Sequence, residues 1–234
     1  MVPTYARALI VGAGDGLSAS LARLLAGEGG MRVGLAARRP EKLQELAAAT
    51  GAVTARCDAS KADEVKALFA TMDRALGGPP DVVVYNASAR VRGPFVDLPP
   101  ADVANTLAVT AFGGFLVAQA AVQRMLPQGK GAILLTGASA SVKGYAQSAP
   151  FAMGKFALRG LAQSLARELQ PRGIHVAHFV IDGAIRNPGR SEPADAPDSM
   201  LDPDAIARSY LAVLRQDRSA WSWELELRPW VERF

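Results

Sequence analysis

The sequence predicts an α/β fold: one domain built on a doubly wound parallel sheet of about seven strands, with helices on both faces. Three observations predict it. Short β-rich runs alternate with longer amphipathic runs along the chain. The strand-like runs lack the polar alternation of a half-exposed sheet, as expected where both faces are buried. A glycine-rich turn joins the first strand-like run to the first helix-like one. With 234 residues, half of them hydrophobic, the chain can bury a large core as a single unit.

In chain order, R-A-L-I-V (7 to 11) is a strand, and Leu17, Leu21, Leu24 and Leu25 form one stripe of the helix that follows. The unit repeats as M-R-V-G-L-A (31 to 36) with P-E-K-L-Q-E-L-A-A-A. It repeats again as V-T-A-R-C-D (53 to 58) with a helix entered at Ser60, where Asp63 would complete a capping box. D-V-V-V-Y-N (81 to 86), A-I-L-L-T (132 to 136) and H-V-A-H-F-V-I (175 to 181) are three further strands. Residues 186 to 203 are rich in Pro, Asp and Ser and have no apolar period, so they read as a mobile loop placed where a substrate lid would sit. The tail W-S-W-E-L-E-L-R-P-W alternates polar with apolar residues and reads as a last strand, its tryptophans packing beneath it or against another subunit.

Composition narrows the function. The net charge is +4, but Lys and Arg are scattered among Asp and Glu, which argues against a nucleic-acid surface. Apolar stretches such as A-L-I-V and F-L-V-A-Q-A-A-V are shorter than the ~20 residues of a membrane span. A single Cys57 and an N-terminus without a signal-like pattern predict a reducing cytoplasm. His175 and His178, three apart in one strand, point to opposite faces, so structural roles are expected and no metal site.

After the first strand comes G-A-G-D-G-L-S, with Gly12, Gly14 and Gly16 leading into the helix and Asp15 and Leu17 inside the turn. Glycines let backbone approach a pyrophosphate, and the helix N-terminus supplies free N–H groups and positive potential. The competing reading is a tight turn that needs glycine only for its dihedrals; the strand–turn–helix context favours the nucleotide. Ala36 and Ala37 end the second strand, where a carboxylate would grip the ribose hydroxyls of NAD. No acid stands there, and Arg38 and Arg39 suit a 2′-phosphate, so NADP(H) is favoured over NAD(H). Asp58, ending the third strand, is either an acceptor for an adenine amino group or a turn aspartate.

These pieces together resemble a short-chain dehydrogenase/reductase, a Rossmann-like family, over nearly the whole chain. V-G-A-G-D-G-L-S resembles the family's T-G-x-x-x-G-x-G, with Val11 for Thr and Ser18 for the last Gly; Y-N-A-S (85 to 88) resembles N-N-A-G and puts Asn86 and Ala87 beside the cofactor; and F-A-M-G-K (151 to 155) falls on Y-x-x-x-K. The resemblance implies that Lys155 holds the nicotinamide ribose. It also implies that Asp182, Gly183 and Ile185, in I-D-G-A-I-R-N where the family has P-G-x-x-x-T, lie against the nicotinamide.

The catalytic hydroxyls are missing. Phe151 stands at the family's tyrosine, Ala138 at its serine and Thr110 at its asparagine. A phenyl ring has no exchangeable proton, so Phe151 is no general acid or base. The expected substitutes are Ser139, if the strand end bulges by one residue, and Tyr145, with Lys155 as the retained cation. Three functions follow: an NADP(H)-dependent oxidoreductase of a small carbonyl or alcohol with a non-standard proton donor, a catalytically silent nucleotide-binding scaffold, or, with less support, a lyase, isomerase or other non-redox enzyme on this fold. Small residues in T-A-F-G-G-F-L-V-A-Q-A-A and in the helix after Phe151 permit close packing, either within one subunit or, as the resemblance implies, in a four-helix contact of a homodimer or homotetramer.

Overall fold

The computed structural model describes residues 4–232. Its strands are β1 (Arg7–Val11), β2 (Arg32–Ala37), β3 (Val53–Arg56), β4 (Val82–Tyr85), β5 (Gly131–Thr136), β6 (Ile174–Ile181), the short β7 (Ala184–Ile185) and β8 (Met200–Leu201), and β9 (Glu224–Leu227). Seven of them form one parallel sheet in the order β3-β2-β1-β4-β5-β6-β9, while β7 and β8 pair separately. The helices are α1 (Leu17–Ala26), α2 (Gln44–Thr50), α3 (Ala62–Ala75), α4 (Pro100–Leu107), α5 (Gly113–Met125), α6 (Ala149–Leu169) and α7 (Pro203–Leu214).

Hydrophobic residues from α1, α2 and α7 pack on one face of the sheet and those from α3, α5 and α6 on the other. The central strands therefore have no wet face, and β4, β5 and β6 are buried along their whole length. The predicted leucine stripe is the buried side of α1: Leu17, Leu21 and Leu25 are in the core and Leu24 at its edge. After β1 the chain winds outward to β2 and β3, and after β3 it crosses back to β4 on the other side of β1. The crevice beyond the carboxyl ends of β1 and β4 is thus the switch point, where open α/β sheets bind ligands.

Two local expectations are corrected. The Ser60–Asp63 capping box does not form: α3 begins at Ala62 with Lys61 as an N-cap lacking a side-chain bond. Instead Asp58 Oδ1 accepts from the Ser60 N–H (3.0 Å) and hydroxyl (2.7 Å), and Glu64 accepts from the Asp58 N–H at 2.8 Å. The helical run from Pro100 to Gln128, unbroken through a π turn at Ala108–Phe112, is long and apolar enough by length and composition to cross a membrane. Short apolar stretches concealed this because isolated polar residues such as Asn105 and Gln119 interrupt them; its inner side, Val117, Ala118, Ala121 and Met125, is core. The 186 to 203 segment is tied at both ends, since β7 pairs with β8 and Met200 and Leu201 are buried.

β9 is held to the sheet by buried histidines. His175 stacks on Trp221 at 4.5 Å and its Nε2 contacts the Ser222 carbonyl at 2.8 Å. On the opposite face, His178 Nδ1 is 3.0 Å from Glu224, whose carboxylate also takes a two-pronged bond from Arg159 on α6 (2.6 and 2.7 Å). Burial pushes the His178 imidazole from 6.5 down to about 4, against the pull of Glu224. The folded chain thus keeps this ring neutral while the unfolded chain protonates first. Stability should fall as pH drops from 6.5 to about 4, by roughly 3 kcal/mol at most. Urea midpoints measured across that window should show the loss, and His178→Gln should flatten it.

Candidate functional site

The glycine turn leaves β1 through Gly12, which has φ +86° and whose Cβ, if present, would lie 2.3 Å from the backbone nitrogen of Ala87. Only hydrogen fits there, and φ in that region already disfavours a side chain. Gly12 and Ala13 donate their N–H groups to the Ala36 carbonyl (2.9 and 3.0 Å), which closes the turn over β2. Ser18, at the family's last glycine, accepts from Asn86 Nδ2 at 2.7 Å and donates to the Gly12 carbonyl at 3.2 Å, so its hydroxyl ties the turn to β4. α1 has no side-chain cap, which leaves its first N–H groups facing the crevice.

Two adjoining clefts open at this switch point and share Gly12, Gly14, Asp15, Asn86 and Ser88. One, of about 340 Å³, is lined by Arg38, Arg39, Lys42, Asp58 and Ala87. The other, of about 620 Å³, reaches past Gly16 and Leu17 to Ser139, Tyr145, Phe151, Lys155, Asp182, Gly183 and Ile185. All the candidate residues named from the sequence line one or the other, although they come from segments far apart in the chain. Both arginines are exposed beside Ala37. Asp58 serves the turn through Oδ1; burial would raise its pKa, but the Ser60 bonds and the Arg38 charge outweigh that and lower it.

At the far end Lys155 is buried in α6 and donates from Nζ to the Thr136 carbonyl at 2.7 Å. Burial pushes it down to about 8. The Phe151 ring, one turn earlier on α6, has Lys155 Nζ 5.8 Å from its centroid and the Arg90 guanidinium 4.8 Å away. Two cations therefore flank a ring that cannot exchange a proton. Beyond β5 the chain runs extended through Ala138 into a 3₁₀ turn at Ser139–Ser141. That turn breaks the strand alternation, so Ser139 lines the cleft beside Ala138 without a bulge.

Thr110, at the family's asparagine, sits in the π turn, accepts from the Ala89 N–H at 3.2 Å and is packed against Gly154, where a Cβ would lie 2.9 Å from its own. Its hydroxyl is committed to structure. Tyr145 is half exposed, with the Lys143 ammonium 5.9 Å from its ring centroid. Lys143 also pairs with buried Asp182 at 3.3 Å, and Arg228 approaches the same carboxylate at 3.8 Å. The Tyr145 phenol first, then Asp182, holds the Lys143 charge above the ordinary lysine value. No group of His, Cys, Asp and Glu suited to a metal occurs among the described residues.

Sequence reasoning missed Lys143, Arg90 and Arg190. Arg90 and Arg190 line the second, larger cleft, and Lys143 pairs with the Asp182 carboxylate in it. Arg90 lies four residues past Asn86, and Lys143 two before Tyr145, in loops whose course no periodicity reveals.

The chain fits a dinucleotide on its own features: a cradle at Gly12 that a Cβ would fill, an uncapped helix N-terminus, and a buried ammonium at the end of the cleft. Gly12→Ala should destabilise the fold by about 2 kcal/mol or more. Gly14→Ala, whose Cβ meets nothing within 4 Å, should not; paired urea midpoints measure the difference.

A model of the short chain dehydrogenase family matches residues 6–190. An uncharacterized oxidoreductase of Staphylococcus aureus (strain N315) is 28% identical over 228 residues, covering 95% of this chain and 96% of its own. A crystal structure of a short-chain dehydrogenase from Rhodopseudomonas palustris has a TM-score of 0.82 and 35% identity over 97% of this chain and 100% of that one. A metagenomic short-chain oxidoreductase in complex with NADP has a TM-score of 0.82 and 28% identity over 96% of this chain and 97% of its own. With its sheet order, glycine turn and cleft, the chain belongs to the short-chain dehydrogenase family.

Proposed function

We propose that the chain is an NADP(H)-dependent oxidoreductase of a small carbonyl or alcohol whose proton donor is not the family's usual phenol. The observation that carries this reading is the continuity of the cleft from the Arg38–Arg39 pair to buried Lys155. Ala36 and Ala37 offer no carboxylate to a ribose diol, while the two guanidiniums suit a 2′-phosphate. The NADP held by the metagenomic relative supports the same choice.

When bound, NADPH supplies the hydride and its two electrons. Of the chain's own groups, the α1 N-terminus holds the pyrophosphate and Lys155 the nicotinamide ribose hydroxyls. Phe151 walls the reacting end and excludes water. Ser139 donates a hydrogen bond to the substrate oxygen, and Tyr145 delivers the proton to it. Asp182, paired to Lys143, fixes that lysine and faces the carboxamide with Gly183 and Ile185. Residues 186 to 203 act as a lid, and the site operates in a soluble, cytoplasmic protein.

A second reading, a nucleotide-binding scaffold without turnover, is favoured by one observation: Phe151, Ala138 and the committed Thr110 leave none of the family's usual hydroxyls free. Calorimetry should give NADPH binding at least about tenfold tighter than NADH, with Arg38→Ala removing the preference. NADPH oxidation over a carbonyl panel should be detectable and drop on Tyr145→Phe and Ser139→Ala. Binding without any oxidation selects the scaffold, and no binding of either coenzyme removes both readings.

We also propose that the chain pairs with itself through α5 and α6. Phe112 and Phe115, stacked at 6.1 Å, and Met153 and Phe156 each expose close to half their surface. Light scattering should give two or four chain masses, and Phe115→Glu with Phe156→Glu should return one.

A further inference from the structure

Arg90 follows β4 in the loop Y-N-A-S-A-R, and its side chain lines the same cleft as Ser139, Phe151 and Lys155. The guanidinium lies 4.8 Å from the Phe151 centroid. Stacking of this kind engages one face of a guanidinium and leaves its N–H edge open for a planar partner. Arg190, from the segment after β7, lines the cleft as well. Among the described residues, no carboxylate forms an ion pair with Arg90, Arg92 or Arg190.

The acids of the cleft are otherwise placed. Asp182 is taken by Lys143 and Arg228, Asp15 lies in the glycine turn, and Glu232 is in the tail. Burial first, then the like charges of Arg92 and Arg190, lowers the Arg90 pKa below its ordinary value, and no carboxylate is among the groups acting on it. Arg90, Arg92 and Arg190 are exposed cations, so solvent screens their repulsion, and they remain open to an anion that enters the cleft. A carboxylate matches the open edge of a guanidinium in both geometry and charge.

We infer that the reacting end of the cleft takes a carbonyl or hydroxy compound bearing a carboxylate, which Arg90 docks over Phe151 and Arg190 supports from the opposite loop. This deepens the proposed function and rests on it. Phe151 then has a role beyond the lost phenol, as the platform that orients the docking cation. Such docking would hold the substrate oxygen toward Ser139 and Tyr145.

An anion in this place has two sources, the substrate and a phosphate of the coenzyme, and Arg190 is the residue for which they compete. Its backbone pairs with that of Asn187, whose Cβ lies 3.6 Å from the position of a Cβ at Gly16 beside the pyrophosphate end.

The test is calorimetry on NADP⁺-saturated chain with 2-oxobutanoate and its uncharged methyl ester as probes. The acid should bind about tenfold tighter than the ester, with the difference shrinking as salt rises. Arg90→Gln should abolish that difference while leaving NADP⁺ affinity within about twofold, and Arg190→Gln should reduce it. Equal binding of acid and ester overturns the inference. So does an Arg90→Gln variant that loses NADP⁺ affinity and keeps the acid preference, because the guanidinium then serves the coenzyme. If the wild-type chain binds no NADP⁺, the proposed function fails separately, and the acid–ester comparison on cofactor-free chain decides the arginine site by the same criterion.

Discussion

The contact on which the rest of the structure depends is the close approach of the β1 turn to β4. Gly12 lies against the backbone of Ala87 with no room for a side chain, and Asn86 reaches back through Ser18 to the Gly12 carbonyl. This contact sits where the strand order reverses, so it sets the floor of the cleft shared by both halves of the sheet. Everything placed along that floor inherits its geometry from it: the arginines after β2, the uncapped start of α1, and the side chains that α6 projects from the β5 side.

The second constraint is charge in a dry place. Lys155 is fully enclosed, has one carbonyl as hydrogen-bond partner, and is shifted by burial toward its neutral form. Burying an ammonium with so little compensation costs free energy that folding alone does not require. Structures retain such strain where a ligand relieves it, and the ribose hydroxyls of a dinucleotide are suited to do so. Phe151 gives that cation a ring with no hydroxyl as its neighbour on α6. In the loop after β5 the 3₁₀ turn brings Ser139 round and Tyr145 stands beside Lys143.

The same loops carry the electrostatic character of the reacting end. β4 carries no charged residue and the two histidines of β6 are buried against the β9 segment, so neither strand offers charge to the site. Besides Lys155 on α6, charges enter from the segments that leave the strands' carboxyl ends, namely Arg90 after β4, Lys143 after β5, and Asp182 and Arg190 after β6. A rigid sheet with variable loops lets one fold carry different chemistry at one location.

The sequence by itself determined the layers and the glycine turn that joins β1 to α1. Strand and helix periods, the glycine turn and the spacing of F-A-M-G-K are local patterns that backbone geometry imposes within a few residues. They sufficed to name Gly12 and to show that Phe151 has no proton to give, while Asn86 and Lys155 are named through the resemblance to the family's motifs. Tertiary structure alone decided the rest. It set the Asp58–Ser60–Glu64 bonds of the turn before α3, the commitment of Thr110 to the π turn, the histidine anchors of β9, and the meeting of Arg90 with Phe151. Those arrangements depend on where irregular loops travel and which distant groups they meet, and a pairing across sixty residues leaves no period in the chain that forms it.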